Sequence, residues 1–158
     1  MVHLDQSQAK RDKKIAKDIT KLNRDAATFY KQAAEQVDDY NVRHVFINMA
    51  KIREQAQLSV YDVDENPDHS SIENTWLGTA IAWYAQAKSH FSNRPEQSMI
   101  IDLIEFEKKL LAKIKKAVSE ARDPALKGAL ASITADIQMC IDQLSACKPA
   151  NTRSHATQ

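Results

Sequence analysis

The sequence predicts an all-helical fold, a four-helix bundle with an additional helix in the crossover between its second and third bundle helices. Three observations predict it. The 158 residues include only two glycines, Gly78 and Gly128, too few for the turns of a β-rich or α/β domain of this length. The four prolines, Pro67, Pro95, Pro124 and Pro149, each stand where an apolar helical pattern breaks. Apolar residues recur at spacings of three and four through five stretches, and no stretch alternates as a strand would.

The first helix is expected over residues 9–38, where Ile15, Ile19, Leu22, Ala26, Phe29, Ala33 and Val37 form one face. Asp38, Asp39 and Asn41 can end it and cap the next. The second covers 41–63, with Val42, Val45, Met49, Ile52, Ala56 and Val60 on one side. The acidic stretch around Pro67 interrupts the pattern. Ser70 with Glu73 makes a capping box that opens a third helix over 71–91, carrying Ile72, Trp76, Ala80, Trp83, Ala87 and Phe91. Asn93, Pro95 and Glu96 start a fourth over 94–121. Asp123 followed by Pro124 marks an N-cap with proline at the first helical position, and so a fifth helix over 124–147. Residues 1–8 read as a flexible N-terminus, 9–147 as the bundle, and 148–158 as a disordered tail. Short connections make helices one and two antiparallel neighbours, and likewise four and five. Helix three then carries the chain from one pair to the other, a long crossover as in ferritin-like folds.

Composition narrows the function classes. Hydrophobic residues at 43% and charged residues at 27% describe a chain able to bury a core without disulfides or a structural metal. A net charge of +1 gives no global case for nucleic acid or an anionic membrane. No apolar run approaches membrane-spanning length. Cys140 and Cys147 lie seven residues apart in one predicted helix, about 10 Å along its axis, and cannot pair with each other. Free thiols and the absence of a signal peptide point to the cytoplasm.

Function, if it lies in the core, should show as polar residues on the apolar faces. On a helical wheel Glu107 falls near the middle of the apolar arc of helix four, among Met99, Leu103, Phe106, Leu110, Leu111, Ile114, Ala117 and Val118. Glu105 points the other way, with Lys108 and Lys116. Arg53 and Gln57 fall inside the arc of helix two, with Glu54 at its edge. Asn23 lies in the arc of helix one, a heptad before Tyr30. Thr134 and Gln138 sit at the edge of the arc in helix five. A buried carboxylate must be paired, protonated or metal-bound. Arg53 is the natural partner for Glu107, because guanidinium forks onto carboxylate and stays charged. The expected site is therefore a buried polar cluster of Asn23, Tyr30, Arg53, Gln57 and Glu107, with no catalytic residue.

A di-iron carboxylate bundle needs Glu-x-x-His on two of its helices, and this sequence has none. Helix two offers Glu54-Gln55-Ala56-Gln57, with glutamine in the histidine place. Helix five offers only Asp136, toward its flank. His3, His44, His69, His90 and His155 show no metal-ligand spacing. The alternative reading is a degenerate oxidase that binds iron or another divalent metal through Glu54 and Glu107. The stretch with Asp62, Asp64, Glu65, Asp68 and His69 lacks the regular pattern of a calcium loop. His44 lies on the polar side of helix two, but no Lys-Gly follows it as in a phosphotransfer module.

Two surface features add a different class. Lys10, Lys13, Lys14, Lys17, Lys21 and Arg24 run along the polar side of helix one, and Lys108, Lys109, Lys113, Lys115 and Lys116 crowd helix four. Such stripes serve nucleic acid, membranes or acidic partners, although few aromatics interleave them, and the sequence reading sets nucleic acid aside. Trp76, Trp83, Tyr84 and Phe91 are read as packing helix three on the bundle. Their outer members could also make a homo-oligomer contact.

The residues Arg24-Asp25, Tyr30 to Ala33-Ala34, Arg53, Trp83 to Lys88, Glu107 to Ala117 and Asp123-Pro124 carry a family resemblance. Together they resemble an uncharacterised bacterial ferritin-like four-helix-bundle family, labelled only as a domain of unknown function. The resemblance spans residues 15–147 and implies the same fold without an activity. In ferritin-like oxidases a ligand Glu often stands seven residues before a Tyr. Here Glu107 stands seven before Ile114, and Asn23 seven before Tyr30. The resemblance therefore implies a bundle without a working di-iron centre, a binding or structural protein, with a stress role by family analogy alone.

Overall fold

A computed structural model of the protein describes residues 6–59, 75–86 and 95–147. Among the described residues there are five helices and no strand. They are α1 (Gln6–Gln36), α2 (Tyr40–Ser59), α3 (Thr75–Ala85), α4 (Glu96–Glu120) and α5 (Pro124–Ala146). The helix α1 starts three residues before the expected position. The helix α3 ends at Ala85, with Gln86 in a turn, short of the expected residue 91. The capping box at Ser70 and Glu73, the acidic stretch 62–69, and His3, His69, His90 and His155 lie outside the described residues, as does the tail from residue 148.

The ends of the helices explain their order. Asp39 stands just before α2, and its carboxylate accepts the backbone N–H of Asn41 at 2.8 Å and of Val42 at 3.1 Å. Those donors have no partner inside the helix, so the aspartate supplies one. Asp123 stands at the N-cap of α5 with Pro124 behind it, but its side chain makes no cap bond. The carboxylate of Asp12, one turn into α1, serves that connection instead. It accepts the backbone N–H of Arg122 at 3.2 Å and of Asp123 at 2.7 Å. An aspartate that is 5% exposed is thereby satisfied, and the start of α1 is pinned to the α4–α5 connection.

These bonds set the directions of the helices. The start of α1 lies at the end of α4, where Gln8 donates to the carbonyl of Glu120. The end of α1 lies at the start of α4, where the Asp38 N–H donates to the Glu96 carboxylate. The two helices are thus antiparallel. Asn48 of α2 bonds Gln143 near the end of α5 at 2.9 Å. The helix α1 also packs on α2 and α3, and α4 on α5. The core between them is built from Leu22, Phe29, Phe46, Met49, Leu103, Ile114, Leu130, Ile133, Ile137 and Leu144, all at most 1% exposed. At about 25 cal/mol per Å² of apolar surface removed from water, this burial is the main stabilising term. No described helix is long and apolar enough to cross a membrane.

Candidate functional site

Three large polar side chains lie in the middle of this core. Asn23, Arg53 and Glu107 are each 0% exposed, on α1, α2 and α4. Each sits among apolar neighbours of its own helix, which is why the fold carries it inward. Glu107 lies between Leu103, Ile104, Leu110 and Leu111, all buried.

The geometry is a closed network around Glu107. The Arg53 Nη1 donates to Glu107 Oε2 at 3.0 Å. The Tyr30 hydroxyl donates to Oε1 at 2.6 Å, and the Tyr84 hydroxyl donates to the same oxygen at 2.5 Å. Arg53 Nε donates to Asn23 Oδ1 at 2.8 Å, and Nη2 to the Tyr84 oxygen at 3.2 Å. Asn23 returns its own amide to the carbonyl of Ile19 at 3.1 Å. One carboxylate thus receives bonds from α1, α2 and α3, and one guanidinium reaches three elements.

Aromatic rings wall this network. Phe29 meets Tyr30 edge-on with centroids 5.0 Å apart. Trp83 stacks on Phe106 at 4.1 Å, and Tyr84 meets the same ring edge-on at 5.1 Å. With Phe29 also against Trp83 at 5.3 Å and Tyr84 at 5.5 Å, these contacts join α3 to α1 and α4 and keep water from the ion pair, so its attraction acts in a low dielectric.

Electrostatics follow from that enclosure. Burial works against the charge on Arg53, but Tyr84 and Glu107 outweigh it and hold the guanidinium charged. Burial raises Tyr30 well above the usual phenol range, and the Glu107 charge adds to the effect. Burial raises Tyr84 as well, with Arg53 opposing and Glu107 adding. Both phenols therefore remain protonated donors to the carboxylate. The nearby thiol of Cys140 is pushed up to about 12, chiefly by burial.

The structure thus brings Asn23, Tyr30, Arg53 and Glu107 together. The backbone of Gln57 belongs to α2, and its side chain lies outside the described residues. Glu54 does not share the cluster's partners: it pairs with Lys31 at a partly exposed edge. His44 is exposed and stacks on Tyr40. Gln138 is exposed and bonds Asp142. Tyr84 is the member that sequence reasoning placed elsewhere, as crossover packing. Its signal was weak, because α3 is apolar almost throughout and has no polar face against which a tyrosine would stand out.

Fold and site together define a class: an all-helical protein whose core is tied by a satisfied ion pair. The family model described as Domain of unknown function (DUF2383) matches residues 14–120, and the chain belongs to that family. The matched stretch holds Asn23, Tyr30, Arg53, Tyr84 and Glu107, and stops before α5. No curated protein and no solved structure matches the chain.

Proposed function

We propose that the chain is a ferritin-like four-helix bundle, with α3 in its crossover, that acts as a binding or structural protein and not as an oxidase. The antiparallel register of α1 with α4 supports the bundle, as do the short α1–α2 and α4–α5 connections. They leave α2 and α4 parallel, so the chain must run the length of the bundle between them, as a long crossover does. Two free cysteines fit a cytoplasmic setting.

One observation carries the reading against metal chemistry. The fully buried Arg53 guanidinium bonds Glu107 and Asn23, in the space between helices where ferritin-like oxidases hold their metals. A fixed cation there repels a dication, and Glu107 has both oxygens committed to Arg53, Tyr30 and Tyr84. The donor set does not fit a di-metal centre, and Glu54 is paired with Lys31. The test is the iron content of the purified protein after incubation with ferrous iron, beside Glu107→Ala. The expected result is no stoichiometric iron in either, and a variant markedly less stable. Stoichiometric iron that Glu107→Ala abolishes would overturn the reading.

A further inference from the structure

Among the described residues charge is strongly separated along the bundle. The layer of Tyr30, Arg53 and Glu107 divides the described residues into two halves. One half holds the start of α1 and the end of α4, which the Asp12 and Gln8 bonds place side by side. There lysines and arginines outnumber carboxylates by about two to one. On the other half, which holds the α1–α2 connection and the start of α4, carboxylates lead by about the same ratio.

The basic half is more one-signed than its composition suggests. The only carboxylates of α1 before residue 25 are Asp12 and Asp18, and both are buried, 5% and 1% exposed. The exposed charge of α1 from Lys10 to Arg24 is therefore entirely positive over about 21 Å of helix. The antiparallel register puts the exposed lysines of α4, from Lys108 to Lys116, in the same half. Between the two helices Arg11, Lys14 and Arg122, with the single carboxylate of Glu120, line a cleft of about 500 Å³.

We infer that this end is an electrostatic docking surface for the phosphate backbone of duplex nucleic acid. One observation favours that partner over a lipid surface or a single strand. The large exposed hydrophobics among the described residues are Tyr40, Ile47, Ile101 and Met139, and none lies on the basic half. A membrane anchor needs such groups to insert, and single-strand binding needs aromatic rings on which bases stack. Phosphate contacts need only lysine and arginine. The acidic half repels the same polyanion and so orients the molecule with its basic end down. The inference supplies a partner for the proposed binding role, and the iron measurement tests that role separately.

The test is fluorescence anisotropy with a labelled 20-base-pair duplex over a series of salt concentrations, for three forms of the full chain. The first is unaltered. The second is Lys10→Glu with Lys13→Glu. The third is Lys51→Glu with Gln32→Glu and Gln36→Glu, which changes net charge equally on the acidic half. Circular dichroism verifies that each is folded. The unaltered chain should bind, with affinity falling steeply as salt rises. The second form should lose about tenfold or more in affinity at about 50 mM salt, and its salt slope should be shallower by about two. The third should bind within about threefold of the unaltered chain. Equal losses in both variants would overturn the inference, because net charge and not its placement would then govern binding. Failure of the unaltered chain to bind the duplex at about 50 mM salt would overturn it too. So would binding to phosphatidylglycerol vesicles with none to the duplex.

Discussion

Glu107 and Arg53 are both 0% exposed, so neither can trade its partner for water. A buried ion pair adds little net stability over well-packed apolar residues, but removing one partner leaves the other charge stranded. Glu107→Gln keeps the shape and an acceptor oxygen for Tyr30 and Tyr84 but discards the charge. It should lower the unfolding free energy by about 3–5 kcal/mol, read by urea denaturation. The double replacement Arg53→Met with Glu107→Leu should cost less than the sum of the two single changes. Alkaline pH should act on the same region. Burial lifts the Cys140 thiol from its ordinary value near 9 to about 12, and lifts Tyr30 and Tyr84 in the same direction. Between the unfolded and folded values the unfolded chain holds fewer protons than the native one, so stability falls as pH rises. The Cys140 contribution is fully present below about pH 8 and should drop through pH 9–12 by about 1.4 kcal/mol per unit, and Tyr30 and Tyr84 add to the loss only above about pH 10. Urea midpoints across that range measure the loss, and Cys140→Ala should remove part of it. The charged pair was legible in the sequence because each residue interrupts the apolar stripe of its own helix. Tyr84 was not, because tyrosine belongs as readily to an aromatic packing face as to a polar cluster.

At the scale of elements, two aspartates do unlike work at helix starts. Asp39 caps α2 in the ordinary way, and Asp39→Ala should cost about 1 kcal/mol. Asp12 acts at long range, since it satisfies backbone donors of the α4–α5 connection from within α1. Asp12→Ala should cost about 1–3 kcal/mol and raise hydrogen exchange at Arg122 and Asp123. Sequence reasoning found Asp39 because the backbone donors it serves lie two and three residues on. It assigned the α5 start to Asp123 because proline follows, and the bond from Asp12 involves residues 110 and 111 positions away, beyond the reach of any local pattern. Helix existence was legible throughout, from periodicity and proline placement. Helix ends were less so, since turns shift them by a few residues, as at Ala85, where Gln86 turns.

At the scale of the whole molecule, one network touches α1, α2, α3 and α4 at once, so these helices should not melt separately. Far-ultraviolet circular dichroism and tyrosine fluorescence should give coincident midpoints in a single urea transition. Two separated transitions would mean that α3 is held without Tyr84. The charge separation among the described residues was invisible in the composition. It needs the antiparallel register of α1 and α4, which no local pattern supplies, to place two lysine-rich stretches at one end. The bonds of Glu107 also constrain how this chain can diverge. Losing the carboxylate strands a cation, losing the arginine strands an anion, and losing either phenol leaves Glu107 Oε1 with one donor instead of two. Positions 30, 53, 84 and 107 are therefore expected to drift through descent as one linked set, passing together to an apolar core or not at all.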